Sequence, residues 1–103
     1  MANVGIMGAG SWGTALALLL HRNGHQVTVW SISEEEVKML SEKREHVSKL
    51  PGVELPGDML FTTDMECAVK GKDFVVLAVP SPFTRNTARN MSPYVANGQI
   101  IVD

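Results

Sequence analysis

Cysteine, aromatic residues and clustered positive charge are all scarce in this sequence. Cys67 is the only cysteine among the 103 residues, so the chain cannot form an internal disulfide, and no Cys/His group has the spacing of a zinc site. Nine Lys and Arg residues stand against eleven Asp and Glu, which gives a net charge of −2. Because the Lys and Arg residues form no cluster, nothing indicates a nucleic-acid or anionic-membrane surface. We therefore expect a reducing compartment, no metal and no nucleic-acid partner.

Long hydrophobic runs are absent as well. A membrane span needs about 20 apolar residues, and no run in the chain approaches that length. The apolar run at residues 15–20 is short, follows three glycines and has no Lys or Arg before it, so it does not match a signal peptide. We therefore expect a cytoplasmic protein without a membrane span.

What the chain does contain is enough apolar sequence for one packed domain, because 45% of its residues are hydrophobic and only 19% are charged. Strands and helices alternate along it. Strands are predicted at residues 3–7, 26–30, 60–62, 74–79 and 100–103, and helices at 12–23, from Ser33 to about Ser48, from Thr63 to Gly71, and from an N-cap at Ser81 onward. This alternation predicts an α/β fold with a doubly wound parallel (Rossmann-type) sheet. Because the chain stops on a strand, we expect the sheet to be incomplete at its C-terminal end.

The stretch GAGSWG has the spacing G-x-G-x-x-G between the first strand and the first helix. In dinucleotide-binding folds, Gly8 would allow the tight turn, Gly10 would let the backbone approach a pyrophosphate, and Gly13 would let helix and strand pack closely. The Ser11 hydroxyl could bind a phosphate oxygen and Trp12 could flank the cofactor. The alternatives are that Ser11 is a plain helix N-cap and that Trp12 is a core residue.

The choice between NAD and NADP depends on the end of the second strand. Neither an acidic residue for the ribose hydroxyls nor an Arg for a 2′-phosphate is present at Ser31, Ile32 or Ser33. The three glutamates at residues 34–36 follow slightly late and are also explained as a solvated first helical turn. Their negative charge favours NAD(H) over NADP(H). Lys49 is the counter-evidence if it folds back to the adenosine end; the alternative is a solvated surface lysine without a role. After the fourth strand, Phe83 is predicted either to press on the cofactor or to hold its own helix to the core.

The run GAGSWGTALALLLHRNGHQVTVW resembles the N-terminus of NAD(P)-dependent glycerol-3-phosphate dehydrogenases, and further similar segments extend the resemblance over essentially the whole chain. The resemblance implies that the parent protein interconverts sn-glycerol 3-phosphate and dihydroxyacetone phosphate for glycerophospholipid synthesis. It implies a homodimer, and catalytic lysines that lie outside this chain, so that the fragment alone is inactive. The cofactor-binding residues predicted from the motif and the resemblance together are Gly8, Ala9, Gly10, Ser11, Trp12, Gly13, Ile32, Ser33, Lys49 and Phe83.

No catalytic residue is predicted within residues 1–103. The three histidines, His21, His25 and His46, are expected near helix ends or on the surface, without a chemical role. Two interpretations therefore stay open. Residues 1–103 are either the N-terminal part of a dehydrogenase's dinucleotide-binding domain, or a stand-alone dinucleotide-binding module that senses redox state without catalysis.

Overall fold

The structure is a computed structural model that describes residues 1–47 and 51–102. Within these residues, five parallel strands alternate with four helices, in the order predicted. The elements are β1 (Asn3–Met7), α1 (Ser11–Arg22), β2 (Gln26–Trp30), α2 (Glu34–Lys43), β3 (Leu60–Thr62), α3 (Met65–Val69), β4 (Phe74–Leu77), α4 (Ser81–Met91), a 3₁₀ turn (Ser92–Tyr94) and β5 (Ile100–Val102).

The strand order in the sheet is β3-β2-β1-β4-β5. From β1 the chain winds outward through β2 to β3, then returns to the other side of β1 and continues through β4 to β5. This confirms the predicted doubly wound parallel sheet. The strand order reverses between β1 and β4, and in such folds ligands bind beside the carboxyl ends of the strands at this point.

The core lies on both faces of the three central strands. On one face, Ile6, Val29 and Val76 pack with Ala17 of α1 and Leu40 of α2. On the other, strand residues pack with helices α3 and α4; this cluster consists of Met7, Trp30, Val75, Leu77, Ala68, Val69 and Met91. Full burial of one such aliphatic side chain contributes about 1.5–3 kcal/mol. The two layers therefore fix the central strands, and with them the turns at the strands' carboxyl ends.

Helix α2 is shorter than predicted, because it ends at Lys43 rather than near Ser48. Arg44 adopts a left-handed conformation with φ of 52°. Its guanidinium donates to the carbonyl oxygens of Pro56 (3.1 Å) and Met59 (2.7 Å). These contacts turn the chain out of the helix, and a pattern of charged residues could not reveal them.

Smaller corrections concern the ends of other elements. β4 ends at Leu77, two residues before the prediction, and α4 is capped by Pro80 rather than Ser81. A proline is tolerated throughout the first helical turn, because the N–H groups there have no intrahelical acceptor. The pair Ser81-Pro82 therefore shows that a helix begins nearby but does not show which residue is its N-cap. Asp64, not Thr63, caps α3 by accepting from the Glu66 N–H.

Candidate functional site

A cleft of about 700 Å³ opens where the strand order reverses. This volume lies within the range typical of small-molecule and cofactor sites, about 300–1,000 Å³. Its walls come from the turn after β1, the end of β2, the segment after β4, and α4. The lining residues are Gly8, Ala9, Gly10, Ser11, Trp12, Trp30, Ser31, Ile32, Glu36, Leu77, Ala78, Val79, Pro80, Ser81, Phe83, Asn86, Thr87 and Asn90.

The three glycines after β1 differ in what a side chain would meet. Gly8 has a φ of 126°, and its N–H donates to the Trp30 carbonyl at 2.9 Å. A β-carbon on Gly13 would lie 2.2 Å from the Gly8 carbonyl oxygen, so this glycine is required for close packing of α1 on the turn. A β-carbon on Gly10 would meet nothing within 4 Å. The protein itself therefore does not need glycine at position 10, and the open space there faces the cleft.

The N-terminus of α1 lies in this cleft without a side-chain cap. Gly10 is the N-cap residue, and the first turn contains no acidic residue. The first N–H groups of a helix have no intrahelical acceptor and carry a partial positive charge. Such an end is suited to a phosphate group. Ser11 is the first helical residue and is exposed, so the alternative that it is a plain N-cap is wrong.

Large apolar side chains stand exposed around the cleft. Trp12 and Phe83 are each 60% exposed and Ile32 is 86% exposed. The alternative that Trp12 is a core residue is therefore wrong. The exposure of Phe83 likewise does not support the alternative in which it holds its own helix to the core. Exposed aromatic and aliphatic side chains lining a cleft are typical of surfaces that pack against a planar ligand.

Sequence analysis did not identify the polar residues that α4 contributes. Asn86, Thr87 and Asn90 line the cleft together with Phe83. They follow Phe83 by three, four and seven residues, which is the spacing of one helix face. The same spacing is visible in the sequence, and under the alternative in which Phe83 presses on the cofactor it indicates that these three residues share that face.

The predicted cofactor-binding residues fall into three groups. Two line no part of the cleft: Gly13 packs against the turn, and the Ser33 hydroxyl accepts from the Glu36 N–H at 3.1 Å as the cap of α2. Lys49 lies outside the residues that the structure describes. The others line the cleft: Gly8, Ala9, Gly10, Ser11, Trp12, Ile32 and Phe83.

One ionisable side chain, Glu36, lines the cleft among the described residues. Its carboxylate accepts from Ser31 Oγ at 2.5 Å and lies 3.1 Å from His46 Nε2. His46 is 1% exposed, so the expectation of a surface position is wrong for this histidine. Of the three glutamates, Glu34 and Glu35 are exposed as a solvated helical turn would be, whereas Glu36 is not.

Other features lie away from the cleft. The side-chain hydrogen bond from His21 to Asp58, at 2.7 Å, lowers the pKa of the Asp58 carboxyl. Within residues 1–47 and 51–102, no group of three His, Cys, Asp or Glu side chains could hold a metal ion. In the same part of the chain, no helix has the length and apolar character needed to cross a membrane.

The fold and the cleft can be compared with known proteins. A profile of the family described as "NAD-dependent glycerol-3-phosphate dehydrogenase N-terminus" matches residues 3–103. Glycerol-3-phosphate dehydrogenase [NAD(P)+] of Agathobacter rectalis is 62% identical over 102 residues, which are 99% of this chain and 30% of that protein. A second such enzyme, from Lactobacillus delbrueckii subsp. bulgaricus, is 45% identical over 100% of this chain and 30% of its own length.

The crystal structure of glycerol-3-phosphate dehydrogenase from Coxiella burnetii superposes with a TM-score of 0.91 at 30% identity, over 97% of this chain and 31% of that one. The chain thus spans about 30% of the length of the curated relatives it matches. Because the family profile covers almost every residue, the chain belongs to the family of NAD-dependent glycerol-3-phosphate dehydrogenase N-termini.

Proposed function

We propose that this chain supplies the dinucleotide-binding part of a glycerol-3-phosphate dehydrogenase. The complete enzyme would interconvert sn-glycerol 3-phosphate and dihydroxyacetone phosphate, with the nicotinamide of NAD(H) or NADP(H) as hydride acceptor or donor. One observation carries the proposal: the uncapped N-terminus of α1 lies in the cleft at the strand reversal, next to the space left by the missing Gly10 side chain. The match to the dehydrogenase family supports it.

The residues present suit the parts of a dinucleotide. The pyrophosphate would lie against the turn of residues 8–13 and accept from the free N–H groups of α1, with the Ser11 hydroxyl as a further donor. Trp12, Ile32 and Phe83 would pack against the rings and the adenosine, and Asn86 and Asn90 would offer amide hydrogen bonds from α4. Gly13 acts indirectly, by allowing α1 to approach β1. Ser33 and Lys49 stay predicted contacts at the adenosine end, and the homodimer and the cytoplasmic location stay predictions.

The proposal is tested by placing a side chain at Gly10. In the complete dehydrogenase, Gly10→Val is expected to fold normally, because a β-carbon there meets no protein atom within 4 Å. It would occupy the space that the pyrophosphate needs, and NADH affinity should fall by at least about tenfold, since several charge-assisted hydrogen bonds would be lost. Titration calorimetry measures this affinity.

Gly57→Val is the matched control. A β-carbon at Gly57 also meets nothing within 4 Å, and this glycine lies outside the cleft. NADH affinity should therefore be unchanged in Gly57→Val. A folded Gly10→Val enzyme with wild-type affinity would show that the turn does not bind the pyrophosphate.

A further inference from the structure

Glu36 occupies the place that the sequence left empty at the end of β2. Residues 31–33 carry no acidic side chain, yet Glu36, in the first turn of α2, lines the cleft beside Ser31 and Ile32. Its neighbours Glu34 and Glu35 are exposed and line no part of the cleft. A carboxylate therefore does reach the end of β2, from the following helix rather than from the strand.

Two buried side chains hold this carboxylate. Ser31 Oγ donates to Glu36 Oε1 at 2.5 Å, and Ser31 is 3% exposed. Glu36 Oε2 lies 3.1 Å from Nε2 of His46, which is 1% exposed. Because a carboxylate only accepts, this bond requires the hydrogen on Nε2 of His46. Each oxygen of Glu36 thus has one fixed donor, and the orientation of the group is set from two sides.

The cap of α2 explains why this carboxylate is not needed at the helix end and lies at the cleft instead. In a complete capping box, the glutamate side chain would accept from the N–H of the N-cap residue. Here the Ser33 hydroxyl caps the Glu36 N–H at 3.1 Å, but the Ser33 N–H donates to Ser31 Oγ at 3.1 Å instead. Ser31 therefore takes the acceptor role of the glutamate and passes its own hydrogen to Glu36.

Glu36 retains capacity for a ligand. Each carboxylate oxygen has two acceptor positions, of which the described donors use one, and the side chain is 26% exposed. We propose that Glu36 accepts hydrogen bonds from the adenosine ribose of the dinucleotide and rejects a 2′-phosphate, and that Ser31 and His46 are its positioning residues. Ribose hydroxyls supply the donors that these oxygens need, whereas a 2′-phosphate brings negative charge and fewer donors. This inference rests on the proposed function.

The test uses the complete dehydrogenase and two probes, ADP-ribose and its 2′-phosphate, which contain the adenosine and pyrophosphate without the nicotinamide. Wild type should bind ADP-ribose more tightly. Glu36→Gln should reduce the ratio of the two affinities by about tenfold, because it removes the charge and half of the acceptor capacity. Glu35→Gln is the matched control: it removes the same charge one residue away, outside the cleft, and should change the ratio by less than about twofold.

Further variants test the positioning role. Ser31→Ala and His46→Leu each remove one donor to Glu36 and should lower the affinity ratio, whereas Ser31→Thr and His46→Gln keep a donor and should restore it. Thermal melting identifies any variant that fails to fold, and the Ser31 pair decides the matter if the His46 variants do not fold. If Ser31→Ala and Ser31→Thr gave the same ratio of probe affinities, and His46→Leu and His46→Gln did so as well, the positioning role would be overturned.

The outcomes separate the inference from the function on which it rests. If wild type binds neither probe, both are overturned. If wild type binds ADP-ribose but Glu36→Gln leaves the ratio unchanged, or Glu35→Gln shifts it equally, the proposed function stands and the inference is wrong. A shift confined to Glu36→Gln supports the inference.

Discussion

In dinucleotide-binding folds, the choice between NAD and NADP depends on single residues at the end of the second strand. An Arg paired with a 2′-phosphate would contribute roughly 1.5–3 kcal/mol to NADP binding, which is about tenfold to a hundredfold in affinity. Residues 31–33 include no Arg, and Glu36 lines the cleft there. The complete enzyme is therefore expected to prefer NADH over NADPH in steady-state kinetics at matched ionic strength.

Lys49 provides the check on that expectation. A solvated lysine ion pair contributes less than about 1 kcal/mol, so Lys49→Ala should change the ratio of kcat/KM values by less than about fivefold. A clear preference for NADPH that disappears in Lys49→Ala would show that this lysine outweighs the glutamates.

Residue roles were predictable where backbone geometry alone decides them. Gly8 has the positive φ that a tight turn requires, and Gly13 has the close contact that excludes a β-carbon, as the motif predicts. The role of Glu36 was not predictable in the same way. The sequence shows a capping box, in which the Glu36 carboxylate would accept from the Ser33 N–H. Only the three-dimensional structure shows that Ser31 Oγ accepts this hydrogen bond instead.

At the scale of elements, Arg44 connects the end of α2 to the segment before β3. Its guanidinium donates to two carbonyl oxygens and lies 5.6 Å from the centre of the Phe61 ring. Arg44→Ala is expected to lower the free energy of unfolding by about 2–3 kcal/mol, because two charge-assisted hydrogen bonds and a cation–π contact are lost. Urea unfolding followed by circular dichroism measures the change.

Arg44→Lys separates the charge from the shape of the group. Both hydrogen bonds come from Nη1, at the end of the planar guanidinium. The ammonium of lysine keeps the positive charge but reproduces neither the position of that nitrogen nor the contact of the planar group with the Phe61 ring, so this variant should recover less than half of the lost stability. Wild-type stability in Arg44→Lys would mean that charge alone holds the segment in place.

The ends of elements were the least predictable part of the fold, for the reason Arg44 illustrates. β1, β2 and β3 have the predicted bounds, because apolar runs and turn residues on either side mark them locally. The end of α2 depends on carbonyl groups 12 and 15 residues away. His46 lies just after this end of α2, and its burial depends on the direction in which the chain leaves the helix. A local sequence pattern therefore could not predict that burial either.

At the scale of the whole molecule, the order β3-β2-β1-β4-β5 brings distant segments to one cleft. Parallel pairing of β1 with both β2 and β4 sets their carboxyl ends side by side. The glycine turn, the end of β2 and the start of α4 therefore meet, although they are separated by many residues along the chain. The alternation of strands and helices predicted this meeting, since a doubly wound sheet has one central reversal.

The side chains that line the cleft determine which chemical steps residues 1–103 could support. Among the residues that the structure describes, Glu36 is the only ionisable side chain lining the cleft, and no Lys, Arg or His lines it to bind a phosphorylated substrate or transfer a proton.

The purified 103-residue chain is therefore expected to bind NADH without oxidising it in the presence of dihydroxyacetone phosphate. Binding would raise the melting temperature, since ligand at 100 times its Kd adds about 2.7 kcal/mol of stability. Turnover is measured as loss of NADH absorbance against a protein-free blank. Turnover above the blank would show that residues 1–103 contain catalytic groups, whereas a melting shift without turnover would place the hydride-transfer machinery of the enzyme outside them.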